Sequence, residues 1–249
     1  MLPEFTPGQW ALALLAGLGI GISKSGLPGI SLLHVVLFAQ LFPGIASTGV
    51  VLPMLIAGDL GAVRLFRRHA SWPHVRRTLP PALLGIVTGW WLMHLLPATR
   101  FGPVIGSIVL VLALLQGLRD WKPGLWQNIP QSREFAWTMG FIAGVTTMLA
   151  NAAGPVMGLY LLAVALPKDA FVGTAAWFFL LVNLAKVPFS AQLGLITPAT
   201  LTFNALLLPA IAAGLLLGRE VVARLPQRFF NSLVLVFAIA AALRLLGVY

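Results

Sequence analysis

Short charged loops divide the chain into apolar segments at about residues 10 to 42, 45 to 63, 79 to 96, 101 to 118, 135 to 166, 171 to 190, 199 to 218 and 229 to 246. An apolar run of about 18 residues is already a transmembrane candidate, and a soluble domain has no interior large enough for this many. Composition agrees: 59% of the 249 residues are hydrophobic and 9% charged, against about a quarter charged in an ordinary soluble domain. The expected fold is an all-α polytopic membrane protein, a single membrane domain over residues 1–249.

Two of the segments are too long. At 1.5 Å per residue, a helix of about 20 residues crosses the hydrocarbon, whereas 10 to 42 and 135 to 166 each exceed 30 residues and are interrupted by Gly, Pro and polar side chains. Each is expected to be a broken helix or a re-entrant hairpin. They open two halves that carry matching landmarks. Gly17 and Gly21 correspond to Gly140 and Gly144 at one offset, and Pro43, Gly49, Asp59 and Val63 to Pro167, Gly173, Asn183 and Val187 at a neighbouring one. Pro80, Gly85, Gly89 and Pro97 correspond to Pro209, Gly214, Gly218 and Pro226 at a third. A duplicated unit accounts for the pattern, with repeat 1 at about 10–118, repeat 2 at about 135–246 and a linker at 119–134.

Charge chooses between two topologies. If both long segments cross once, there are eight crossings, the halves are parallel, and the better orientation leaves nine loop Lys/Arg inside and five outside. If both are re-entrant, each half keeps three full spans and the halves are inverted. Arg64, Arg67, Arg68, Arg76, Arg77, Arg119, Lys122, Arg133, Lys168, Arg219, Arg224 and Arg228 then lie inside, and only Arg100 and Arg244 outside. Twelve against two satisfies the positive-inside rule far better. The expectation is therefore two inverted repeats, each a broken or re-entrant helix plus three transmembrane helices, about eight membrane segments, with both termini outside. Inverted repeats with discontinuous helices are a common transporter plan, with substrate near the midplane.

Orientation also explains the net charge of +10, which in a soluble protein would suggest nucleic acid. Here no nucleic-acid partner is expected, only the lipid bilayer. No Lys or Arg precedes Lys24, which argues against a cleaved signal peptide. There are no cysteines and only six acids, and no HExxH, Walker A or GxSxG pattern. No enzyme activity, metal site or cofactor is expected.

The first break reads Ser23-Lys24-Ser25-Gly26-Leu27-Pro28-Gly29. Non-helical backbone inside a membrane is tolerated where it is buried in protein or lines a cavity, and this stretch places an ammonium between two hydroxyls. Gly26 and Gly29 would let backbone N–H groups approach a ligand, and a half-helix starting near Pro28 would aim its positive dipole end at the same point. That chemistry suits an oxyanion; the alternative is a lysine snorkelling to an interface. The second break holds Thr146, Thr147, Asn151, Gly154 and Pro155, neutral groups that would line the other side of one site or simply satisfy a kinked helix. Asp59 is the one acid within a predicted span; it reads as a coupling group or as an ion pair with Arg64 or Arg67. Asn183 and Lys186 share a helix face at i, i+3, and Lys186 reads as an outer gate or a snorkelling lysine. Trp72, Trp90, Trp91, Trp121, Trp126 and Trp137 fit an aromatic belt, while Trp10 and Trp177 are not placed by it. His34 and His94 are expected to be hydrogen-bonded core residues, and His69 and His74 to be solvated.

Several ordered stretches resemble the TauE/SafE sulfite-exporter family: Gly19 to Gly29, Leu52 to Asp59 with Arg64 to His69, Thr147 to Pro155, Gly173 to Phe178 and Asn183 to Pro188. The resemblance runs over about residues 10 to 246, and its motif positions fall on Lys24, Asp59, Asn151, Asn183 and Lys186. Gly58 and Gly61 depart from it, standing where bulkier residues are frequent. The resemblance implies a multi-pass permease of the bacterial inner membrane that exports sulfite or a small organosulfonate such as sulfoacetate. Together these readings give a secondary carrier for a small anionic solute, with or without proton coupling. Substrate-binding candidates are Ser23, Lys24, Ser25, Gly26, Gly29, Thr147, Asn151, Gly154, Asn183 and Lys186, with Asp59 and Arg64 as a coupling or ion-pair set. An uncoupled anion channel and a scaffold subunit without a path are the alternatives, and the substrate, coupling ion, direction of flux and oligomeric state are left open.

Overall fold

The computed structural model describes residues 5–25, 30–42, 45–122 and 132–221, and beyond these positions 236, 239, 240, 243, 246 and 247. Gly26, Gly29, Trp126 and most of the predicted segment 229 to 246 lie outside the described residues. Among the described residues the chain is helical throughout, with nine α-helices: α1 (Pro7–Lys24), α2 (Ser31–Leu41), α3 (Ala46–Phe66), α4 (Trp72–Leu95), α5 (Phe101–Trp121), α6 (Arg133–Ala150), α7 (Ala153–Ala163), α8 (Lys168–Gln192) and α9 (Pro198–Val221).

Local chemistry sets the ends of the two broken segments. Thr6 and Gln9 form a capping box, with Gln9 N–H donating to Thr6 Oγ1 at 3.3 Å and Thr6 N–H to Gln9 Oε1 at 2.9 Å. Pro7 follows in the first turn, where its missing N–H costs nothing. Helix α6 starts the same way, with Ser132 Oγ accepting from Phe135 N–H at 3.1 Å. It stops at Asn151, whose φ of 53° is left-handed, a conformation asparagine tolerates better than other side chains. Both overlong segments are thus broken, the first after Lys24 and the second at Asn151 and Ala152. The two segments divide alike, into 18 residues then 11 in the first and 18 then 11 in the second. An 11-residue helix rises about 17 Å and falls well short of a bilayer core about 30 Å thick.

By length and composition, three of the described helices can cross a membrane: Ala46–Phe66, Asp169–Gln192 and Pro198–Gly218. Helix α4 begins at Trp72, seven residues before the apolar segment predicted from 79, because a helix continues past its apolar stretch into the basic turn that carries Arg76 and Arg77. Pro53, Pro188 and Pro209 sit inside helices, as membrane helices tolerate. Large aliphatic side chains, among them Leu15, Leu60, Leu84, Leu114, Leu206 and Leu216, face outward, where lipid rather than water suits them. Trp72, Trp91, Trp121 and Trp137 are exposed. Trp177, unplaced by sequence, packs its ring 5.2 Å from that of Trp72.

Helix α1 packs against α9, α4 against α6, and α3 against α8. Glycine makes the first two crossings close. A Cβ at Gly21 would collide with the α9 backbone at Ile211, Gly214 and Leu215, and one at Gly85 with the α6 backbone at Phe141, Gly144 and Val145. Gly214 and Gly144 are equally tight from the other side. Each belongs to a glycine pair four apart, the small-residue pattern that lets membrane helices approach. Gly21→Val and Gly144→Val are each expected to destabilise the protein by about 1–3 kcal/mol through overpacking, read as a lower melting temperature in detergent. Gly8→Ala, which has open space around it, is expected to melt like the wild type.

Candidate functional site

The two breaks meet one cavity. Its wall includes Ser23 and Lys24 from α1, Ser31 and His34 from α2, Leu55 from α3, Thr147, Asn151 and Gly154 from the second break, and Phe179 and Asn183 from α8. Its volume is about 50 Å³, room for a few water-sized groups. The lining is mainly apolar, with a few converging polar groups.

Lys24 is the last residue of α1, and its ammonium lies 2.6 Å from Asp59 Oδ1 on α3. Gly58 makes room for the lysine stem: a Cβ there would stand 3.3 Å from Lys24 Cγ. Asp59 is fully buried, and its other oxygen accepts a hydrogen bond from Asn183 Nδ2 at 2.7 Å. Both carboxylate oxygens are therefore engaged, as a buried carboxylate requires. The Lys24 ammonium also sits 4.7 Å from the centroid of the Phe179 ring, a cation–π distance.

Asp59 does not pair with Arg64. Five residues apart on one helix, the two side chains point about 140° apart, and Arg64 is exposed while Asp59 faces the interior. Lys186 is neither a surface gate nor a snorkelling lysine; it is 1% exposed. Its ammonium donates to Thr147 O at 2.8 Å, to Thr147 Oγ1 at 3.2 Å and to Asn151 Oδ1. Three donors meet three oxygens at the C-terminal end of α6, the end where the helix dipole favours a cation. Asn151 in turn donates through Nδ2 to Thr48 O at 2.9 Å, which ties the second break to α3.

Of the predicted residues, Ser23, Lys24, Thr147, Asn151, Gly154 and Asn183 line the cavity. Ser25 does not; it lies against Gly218 of α9, and its hydroxyl donates to Ile22 O at 2.7 Å. One residue beyond Lys24, it is turned about 100° away. Ser23 spends its hydroxyl proton on Ile20 O at 2.8 Å, so it offers a ligand acceptor lone pairs rather than a donor. Lys186 stands behind Thr147 and Asn151 and supports the wall. The half-helix after the first break starts at Ser31, three residues beyond the expected Pro28. His74 is not simply solvated, since its Nδ1 lies 2.8 Å from Tyr160 Oη. His94 bonds Trp90 O at 3.0 Å but is exposed rather than in the core, and His69 is exposed. His34, Ser31 and Phe179 were missed as lining residues. The available signal was spacing: Ser31 and His34 share a face at i, i+3 just after the first break.

Apolar helices, with two long apolar segments broken beside one shared cavity, define the class: a helical membrane protein. The chain belongs to the sulfite exporter TauE/SafE family, which matches residues 13–245. That family is one of membrane exporters of the sulfite type. No curated protein matches the chain.

Because Lys24 and Asp59 neutralise each other in the interior, Asp59→Ala is expected to cost about 3–5 kcal/mol by orphaning a buried cation. Lys24→Ala/Asp59→Ala is expected to cost less than the two single changes together, in a double-mutant cycle on detergent melting curves. Strictly additive losses would mean that the pair is not made in solution.

Proposed function

We propose that the chain is a secondary carrier that exports a small sulfur oxyanion, sulfite or an organosulfonate such as sulfoacetate, across the bacterial inner membrane. The observation that carries the reading is the Lys24 ammonium, held at a helix break on the wall of a cavity otherwise lined by neutral groups. An ammonium has three donors, of which Asp59 takes one. Among the described residues no hydrogen-bond acceptor takes the rest, which leaves them to an anion entering the cavity, with Asn183 and Asn151 adding amide contacts and Thr147 a hydroxyl. Lys186 acts one step back, fixing Thr147 and Asn151.

Asp59 is the coupling switch of this reading. An anion at Lys24 competes with the Asp59 carboxylate for the same cation. A proton on Asp59 removes the competitor, so proton and anion occupy the site together. The two halves are inverted repeats rocking about α3 and α8. Three features support this: the repeated helix lengths, the glycine crossings and the central contact. Gly21 meets Gly214 and Gly144 meets Gly85, which are the same contact under the correspondence of the halves. Asp59 bonds Asn183, its own counterpart, as residues flanking a two-fold axis would. The placement of Lys and Arg supports a multi-pass chain with its basic loops in the cytoplasm.

The test is flux of sulfite in proteoliposomes. The wild type is expected to show saturable flux and accumulation under an imposed pH difference, which a passive channel would not give. Lys24→Ala combined with Asp59→Asn, which removes the anion site without orphaning a charge, is expected to lose flux while keeping its helical circular dichroism. Wild-type flux in that variant would contradict the assignment.

A further inference from the structure

His34 lies on α2 three residues after Ser31, the first residue of that helix, and both line the cavity beside Lys24. It is 1% exposed, and among the described residues neither ring nitrogen has a hydrogen-bond partner. Two of the other three histidines differ: His74 meets Tyr160 Oη and His94 meets Trp90 O, while His69 is exposed. A buried polar group without a partner is costly and uncommon in a native interior. A purely packing role at this position would be filled better by leucine. The ring therefore carries unused hydrogen-bonding capacity in a wall that already presents an ammonium. It also stands in the first turn of α2, where the helix dipole favours negative charge.

Resting on the carrier reading above, we propose that His34 is a substrate-contacting residue that donates an N–H hydrogen bond to an oxygen of the bound oxyanion. Lys24 supplies the charge and His34 a directional neutral contact from the opposite side of the first break. The bound oxyanion thus bridges the end of α1 and the start of α2, two helices that pack against each other. Movement of these helices relative to each other would then be sensed by the ligand through two different residues.

The test uses the purified full chain in detergent, with melting temperature and calorimetric affinity measured for sulfite and for sulfoacetate. His34→Leu is expected to melt at or above the wild-type temperature without anion, because it removes two unpaired polar atoms from the interior. Its affinity for the anion is expected to fall about 10-fold or more, the loss of a hydrogen bond to a charged group. His34→Gln, which keeps an N–H donor, is expected to recover part of that affinity. Wild-type affinity in His34→Leu would overturn the proposal, and so would a melting temperature well below wild type without anion, which marks a structural histidine. Absence of binding by the wild type itself would overturn the carrier reading and this contact with it. Binding by the wild type that His34→Leu retains would overturn the contact alone.

Discussion

A helix that stops inside an apolar interior leaves its last carbonyls without partners, and no water is there to supply them. The rest of this structure follows from how two such ends are satisfied. At α1, the hydroxyls of Ser23 and Ser25 turn back to Ile20 O and Ile22 O, and Lys24 stands at the terminus. At α6, Lys186 reaches across from α8 to Thr147 O, and Asn151 closes the turn in a left-handed conformation. Each helix end thus has an ammonium, in one case from its own last residue and in the other from a neighbouring helix. Cations belong at helix C-termini, and of the two only Lys24 also lines the cavity.

Two lysines in an interior of this kind need compensation, and they receive it differently. Lys24 has a carboxylate, Asp59, itself held by Asn183. Lys186 has neutral oxygens only among its hydrogen-bond partners. Counted as ionised, the cluster carries one positive charge more than negative, a surplus that a monoanion in the cavity would neutralise. The difference also separates their duties: Lys24 lines the cavity, and Lys186 is packed behind its wall.

Much of this was legible in the amino-acid order, for physical reasons that differ by residue. Segment length alone exposed the two breaks, since an apolar run beyond 30 residues cannot be one straight span. The matching glycines stood out in the sequence, but only the packing reveals why they are glycines, namely the backbone contact of Gly21 with α9 and of Gly85 with α6. Lys24, Thr147, Asn151 and Asn183 stood out because polar groups in apolar helices are expensive. Partners were less legible than positions. Arg64 looked like the counter-ion of Asp59 because it is near in sequence, yet helical geometry turns it to the surface and brings Lys24 from another helix. His34 was read as an ordinary core histidine, because a sequence does not show whether a buried ring finds a partner. Lys186 was assigned to a surface on hydropathy depth, which cannot register the three oxygens gathered around it.

The central claim is that an oxyanion binds at the Lys24 ammonium between the two breaks. Selenite, the heavier congener of sulfite, makes this directly visible by anomalous X-ray diffraction from crystals of the wild-type chain. The account predicts an anomalous selenium peak inside the cavity, within hydrogen-bond reach of Lys24 Nζ and displaceable by sulfite. A peak confined to the basic surface loops, with the Lys24–Asp59 pair undisturbed and the cavity empty of selenium, would contradict it.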